Sequence, residues 1–369
     1  MAARGGVDPG RLMGMAKCET QIRDLLKQIV DIESVSGSED ALADMVDETL
    51  SAHPHLTLTR MGNTIVARTM LGRARRVVIA GHLDTVPIAD NLPSHWDQID
   101  GKDVLVGRGT CDMKGGVAVQ LDLATRLTDT VVDLTWIFYD MEEVEESKNG
   151  LGRLALAHPD LVRADMAILM EPSDGWIEAG CQGTLRVRIT THGVAAHSAR
   201  SWLGHNAIHD MAGALAQLNE YPAREICVDG LTYREGLNAV GISGGTAGNV
   251  IPDRCDLLVN YRFAPDKDVH QAETVVREIF AGYDVEVVDA AHAAPPGLSS
   301  PVVASFISRV GHVRPKYGWT DVARFARLGV PAVNFGPGDP NLAHTVAERV
   351  DIDTVVRCRD LLEEWLTYA

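Results

Sequence analysis

The chain has 369 residues, a formal net charge of −17 and 46% hydrophobic residues. This length exceeds what one hydrophobic core usually serves, so two domains are expected. The acidic balance argues against nucleic acid or an anionic membrane as a partner, and no signal peptide or apolar span is expected, which favours a cytoplasmic address.

In chain order, residues 1–16 read as a loose tail rich in Gly, Arg and Ala. Residues 41–50 carry helical spacing. The run Val77-Val78-Ile79-Ala80 is continuously apolar, as are Leu134 to Tyr139, Met166 to Met170 and Pro331 to Phe335. Such runs suit strands covered on both faces in a mostly parallel sheet. Helical patterns at 115–127 and 355–366 accompany them. Residues 184–190 and 256–263 instead alternate, with Leu185, Val187 and Ile189, and Leu257, Val259, Tyr261 and Phe263, each sharing a face. That period of two fits an open sheet with one wet side. Amphipathic helices at 206–218 and 268–280 belong with it. The expected fold is therefore an α/β domain built from 1–179 and 291–369, with helices flanking its sheet, interrupted by a small α+β domain over 180–290. Gly180 and the Pro- and Gly-containing stretch 291–297 read as the two connections.

The six cysteines are scattered without a CxxC pair, as expected of free thiols in a reducing compartment. Cys111 reads as a small neighbour of a site. The Gly-rich stretch 244–249 lacks the spacing of a dinucleotide loop and reads as a turn.

Ligands of open parallel sheets bind beyond the carboxyl ends of the strands. His82 follows Ala80, Glu142 and Glu143 follow Tyr139, Glu171 follows Met170, and His344 lies in the loop after Phe335. Asp112 sits in a glycine-flanked turn before the helical pattern at 115–127. A lone histidine after a strand is usually structural, and Glu142-Glu143 belongs to an acidic run with Glu145 and Glu146 that would ordinarily be a solvated face. Their shared place at one sheet edge favours a metal site. Imidazole and carboxylate without thiolate suit zinc or cobalt, with manganese a further option. Five candidates exceed the needs of one ion. Two ions bridged by Asp112 would use all of them, one with His82 and Glu171, the other with His344 and Glu143. Asp84 is then expected to orient His82. Glu142 is left to take the proton of an attacking water.

Gly81-His82-Leu83-Asp84-Thr85-Val86-Pro87, Gly109-Thr110-Cys111-Asp112-Met113-Lys114-Gly115-Gly116, Glu142-Glu143 and Glu171-Pro172 resemble the M20 family of dinuclear zinc amidohydrolases and peptidases. The resemblance covers almost the whole chain. It implies a zinc-exopeptidase-like fold with a ferredoxin-like inserted domain serving as lid and dimerisation surface, two zinc ions per subunit with cobalt as an option in the second site, a cis peptide after Asp112, and a homodimer. It also implies that Glu142 is the general base, that His197 reaches the other subunit's active site to stabilise the oxyanion, and that Asn249, Arg262 and Thr320 contact substrate. Within the family, the stretches 87–93, 139–145, 317–325 and 334–338 are most similar to the actinobacterial succinyl-diaminopimelate desuccinylases. The expected substrate is thus an acylated amino acid, N-succinyl-L,L-diaminopimelate. Another deacylase of the family, such as an acetylornithine deacetylase or an aminoacylase, and a non-catalytic binder of amino-acid derivatives are the alternatives.

Overall fold

The computed structural model describes residues 9–368. The chain divides into two compact units. The first comprises the chain through Glu178, Gly297–Arg314 and Arg324 onward; the second comprises Ala179–Pro296 and Pro315–Ala323.

The first unit is built on an eight-stranded sheet. Its order is Thr57–Met61, Thr64–Arg68, Asp133–Tyr139, Arg76–His82, Met166–Leu169, Ala332–Asn334, Ile177–Ala179 and Val313–Pro315. The four apolar runs are neighbours at its centre and pair in parallel. Their strands are almost wholly buried, which is why they lack alternation. The helix Lys114–Arg126 lies buried along its length from Lys114 to Ala124. Two glycines let it approach the sheet. A Cβ on Gly81 would stand 2.8 Å from Gln120 Oε1, and one on Gly116 only 2.1 Å from the Met170 carbonyl oxygen. Gln120 ties the contact by donating to the Ile79 and Ile137 carbonyls at 3.1 and 2.8 Å. The helix start, and Asp112 just before it, is thereby pressed against the carboxyl ends of the strands.

The second unit carries a four-stranded antiparallel sheet in the order Gly236–Gly244, Arg254–Phe263, Gly183–His192, Asp284–Ala291. Helices Ala207–Glu220 and Val269–Ile279 cover one face. The chain order is β-α-β-β-α-β, a ferredoxin-like arrangement. Leu185, Val187, Ile189, Leu257, Val259, Tyr261 and Phe263 form its core with Met211, Val276 and Phe280 from the helices. Asp268 and Gln271 close a capping box at the start of the second helix, an arrangement in which the cap residue typically contributes about 1 kcal/mol.

Two details differ from the sequence expectation. Of the stretch read as a loose tail, 1–8 lies outside the described residues, and from Pro9 the chain is helical through Asp31. Ile22, Leu26, Ile29 and Val30 are buried, and extending a helix already anchored avoids the cost of nucleating one. The stretch 291–297 is also more than a connection. Cys181 and Ala294 exchange backbone hydrogen bonds of 3.1 and 3.0 Å, and Trp319 Nε1 donates to the His292 carbonyl at 3.1 Å. These bonds hold 291–296 and Pro315–Ala323 in the second unit. Among the described residues no helix is long and apolar enough to cross a membrane.

Gly116→Ala is expected to lower stability by roughly 1–3 kcal/mol, the usual range for overpacking, and to weaken metal retention because Glu171 follows Met170. Urea unfolding and metal analysis of the purified variant check both effects.

Candidate metal centre

The four central strands end side by side, and a candidate ligand or base lies at or beyond the end of each. His82 closes its own strand, Glu142 and Glu143 follow Tyr139, Glu171 follows Leu169 by two residues, and His344 lies beyond Asn334. Asp112 meets them from the turn before Lys114. Single ligand atoms of His82, Asp112 and Glu171 lie within 4.8 Å of one another, and so do those of Asp112, Glu143 and His344. Asp112 is common to these two sets; a third group within the same distance, His82, Glu142 and Glu143, lacks it. Asp112 Oδ1 stands 3.1 Å from His82 Nε2 and its Oδ2 stands 3.2 Å from His344 Nε2. His344 Nε2 also lies 2.8 Å from Glu143 Oε1. A carboxylate with one oxygen toward each of two histidine-containing sets has the form needed to bridge two cations, and the donors are imidazole and carboxylate throughout. The Cys111 thiol is not among them; it donates to the Asp339 carbonyl at 3.1 Å. The residues fit a pair of divalent ions of borderline character.

The supporting contacts explain how these atoms are held. The Asp112–Met113 peptide is cis. The amides of Cys111 and Asp112 both donate to Glu348 Oε1 at 3.1 Å, while Glu348 Oε2 accepts from Arg108 Nη1 at 2.6 Å. Both side chains of that ion pair are buried. Removing one partner of such a pair commonly costs about 3–5 kcal/mol. The Lys114 ammonium donates to the Ile32 carbonyl at 2.6 Å, and burial pushes its pKa down to about 7. On the other side, three successive amides point at two carboxylates. Met141 donates to Glu39 Oε1 at 3.3 Å, Glu142 to Asp84 Oδ1 at 2.9 Å and Glu143 to Asp84 Oδ2 at 3.0 Å. Ser36 Oγ adds a bond of 2.7 Å to Asp84 Oδ2. Met141 and His344 both hold positive φ, 61° and 62°, a conformation that costs non-glycine residues energy and gathers at functional sites.

Asp84 therefore does more than orient His82. His82 Nδ1 is closer to the Asp84 main-chain oxygen, at 2.9 Å, than to its carboxylate, at 3.6 Å. The carboxylate mainly clamps the Glu142–Glu143 backbone. Nothing in the sequence singles out Glu348, Arg108, Glu39 and Ser36, because no spacing rule links them to the candidate ligands.

Charge follows the same geometry. Burial opposes ionisation of Asp112, but the hydrogen bonds from His344 and His82 prevail and hold its carboxyl well below the usual range. Burial likewise opposes protonation of His82, yet Asp112 and Asp84 raise its pKa well above the ordinary imidazole value. Hydrogen bonds to Asp112 and Glu143 push His344 up to about 10.

The remaining sequence candidates lie in the second unit. His197 ends the two-residue strand Ala196–His197, which pairs with Val250–Ile251. Its Nδ1 accepts from the Ala199 amide at 3.0 Å, so its proton belongs on Nε2. Asn249 adjoins it, its carbonyl accepting from the Ser198 amide at 2.9 Å. Arg262 stands on the outward face of Arg254–Phe263. Thr320 is buried, and its carbonyl oxygen lies 3.8 Å from the Cys181 thiol.

The profile of peptidase family M20/M25/M40 matches residues 78–368. The chain belongs to this family. It is thus a hydrolase acting on amide bonds, in a metal-dependent family whose donor set its own residues supply. It is 46% identical over 355 residues to the succinyl-diaminopimelate desuccinylase of Corynebacterium glutamicum, covering 93% of this chain and 95% of that one. It is 51% identical over 347 residues to a Mycobacterium tuberculosis protein provisionally named succinyl-diaminopimelate desuccinylase DapE, with 93% and 97% covered. Its fold resembles a tripeptidase of Staphylococcus aureus with a TM-score of 0.75 at 18% identity, over 94% of this chain and 97% of that one.

Because His344 keeps its proton up to about pH 10, metal binding at neutral pH must displace it. Its bonds to Asp112 and Glu143 favour the metal-free fold below the unfolded imidazole value near 6.5 and fade as pH rises through 10; metal affinity moves the opposite way. Calorimetric zinc titrations of metal-free protein in buffers of different ionisation enthalpy should show net proton release at pH 7, with apparent affinity rising toward pH 9.

Proposed function

We propose that the protein hydrolyses the amide of N-succinyl-L,L-diaminopimelate, releasing succinate and L,L-diaminopimelate for lysine and cell-wall precursor synthesis in the cytoplasm. The names of two relatives that align along nearly their whole length support this substrate. The observation that carries the chemistry is Asp112 between two histidine-containing sets.

In this reading His82, Asp112 and Glu171 hold one zinc ion and Asp112, Glu143 and His344 the other, with cobalt an alternative in the second position. When bound, such ions polarise the scissile carbonyl and acidify a water molecule. The chain's own residues do the rest. The Glu142 carboxylate takes a proton from the attacking water and returns it to the nitrogen as the C–N bond breaks, leaving succinate as the acid and diaminopimelate as the free amine. Asp84 keeps that carboxylate in place by holding the Glu142 and Glu143 amides. His197, with its proton on Nε2, is a donor for the oxyanion of a partner subunit's site. Arg262 and Asn249 take substrate carboxylates and Thr320 contacts the acyl end.

The second unit then serves as lid and dimerisation domain. Its edge strand Gly236–Gly244 exposes Val240 and Ile242, each 56% accessible. An edge strand with apolar side chains is a template for a second copy of the same strand.

Glu142→Gln is expected to keep the metal content of the wild type while kcat falls about 10²–10⁴-fold, the usual contribution of a general base; turnover within tenfold of wild type would remove Glu142 from that role. A kcat/KM comparison on succinyl-diaminopimelate and acetylornithine tests the substrate. Ile242→Lys is expected to shift the protein to monomer in light scattering.

A further inference from the structure

The open face of the second unit's sheet carries four arginines. The buried set Leu185, Val187 and Ile189, with Leu257, Val259, Tyr261 and Phe263, lies under the helices. Strand parity therefore turns Arg186, Arg188, Arg254 and Arg262 to the other side. Two of them are neutralised by neighbours. Arg188 meets Glu286 at 2.5 Å and Arg254 meets Asp256 at 2.7 Å.

Arg186 and Arg262 are different. Among the described residues neither guanidinium has an ion pair or hydrogen bond. Asp289 stands opposite Arg186 in the strand register, yet no ion pair forms between them. Arg186 faces Asn260, and Thr184 faces Arg262, so the two arginines are diagonal neighbours on adjacent strands. Diagonal Cβ atoms lie about 7–8 Å apart, within reach of long side chains. Loss of solvent and then the Arg186 charge lower the Arg262 pKa. Between them Asn260 Nδ2 donates to Thr184 Oγ1 at 3.0 Å. Two like charges placed side by side repel, and a chain of net charge −17 has many acids that could neutralise them. Leaving both unpaired makes sense if an anion from outside completes the set, since guanidinium forks match carboxylates in a bidentate way.

We propose that Arg186 and Arg262 form a two-guanidinium clamp for a substrate bearing more than one carboxylate, with Arg186 as the arm that determines specificity. This rests on the reading of Arg262 as a substrate residue. At diagonal spacing each fork takes a separate carboxylate. A monocarboxylate engages one arm only, so the preference for polycarboxylate amides originates at Arg186.

The test uses zinc-loaded enzyme and two probes, succinate and acetate, titrated by calorimetry. Wild type is expected to bind succinate at least about tenfold more tightly than acetate, the scale of one charge-assisted bond pair. Arg186→Ala should bring the two within about threefold. It should raise KM for a polycarboxylate amide about tenfold or more while kcat stays near wild type, with an unchanged thermal midpoint. Arg186→Lys, which keeps the charge but loses the fork, should fall between, and is the variant to use if the alanine form does not fold. Arg188→Ala, at an arginine already paired, should behave as wild type. A succinate preference absent in wild type, or retained in Arg186→Ala, overturns the clamp. Wild type that shows the Arg186-dependent preference but does not cut N-succinyl-L,L-diaminopimelate supports the clamp and removes the desuccinylase reading.

Discussion

One largely buried carboxylate organises this protein. Asp112 turns an oxygen to His82 and the other to His344, and the two imidazoles keep it ionised where burial alone would favour the acid. Its backbone is gripped in turn by Glu348, whose second oxygen is neutralised by Arg108. Charge alternates along this chain of contacts, from guanidinium to carboxylate, through main-chain amides to a second carboxylate, and on to imidazole. Arg108, Glu348 and His82 are buried and Asp112 is largely so, while His344 at the end of these contacts is about half exposed; low-dielectric surroundings make the buried contacts strong and their loss expensive. A pair of ions placed there would take over the protons' role of holding Asp112, Glu143 and the histidines together.

The fold serves that constraint through close approach. Parallel strands deliver their carboxyl ends to one edge, and glycines at 81 and 116 let the Lys114–Arg126 helix press its start against them. The loop at 141–143 is fixed without regular structure, because its three amides end on Glu39 and Asp84. Adjacent residues on one short loop can then do different work. In the proposed reading Glu143 joins a ligand set while its neighbour Glu142 serves in proton transfer. The second unit follows a different logic. Its core is self-contained, its edge strand is unsatisfied, and two of the four arginines on its open face, Arg186 and Arg262, form no ion pair with its own acids among the described residues.

Much of the architecture was legible in the residues. Continuous apolar runs marked the parallel strands because both their faces are covered, and alternating runs marked the antiparallel sheet because one face is wet. Helix ends at Asp268 and near Asp40 lay within a residue or two of expectation. The ligand candidates are readable because parallel strands all end at one edge, and His82, Glu142, Glu143, Glu171 and His344 each fall at or beyond the end of one such strand. Less legible were Pro315–Ala323, which joins the second unit through main-chain bonds, and the helix that begins at Pro9.

By itself the sequence determined which residue types were available, which strands would be buried on both sides, and which carboxylates and imidazoles would arrive at the sheet edge. These are local properties, written in periodicity and in the few residues after each strand. Only the tertiary structure decided that Asp112 presents one oxygen to each histidine, that Asp84 spends its carboxylate on the Glu142 and Glu143 amides, and that Glu348 and Arg108 hold the Asp112 turn. Those assignments depend on distances between segments as much as 240 residues apart, and on main-chain groups that every residue shares and no side-chain pattern reveals.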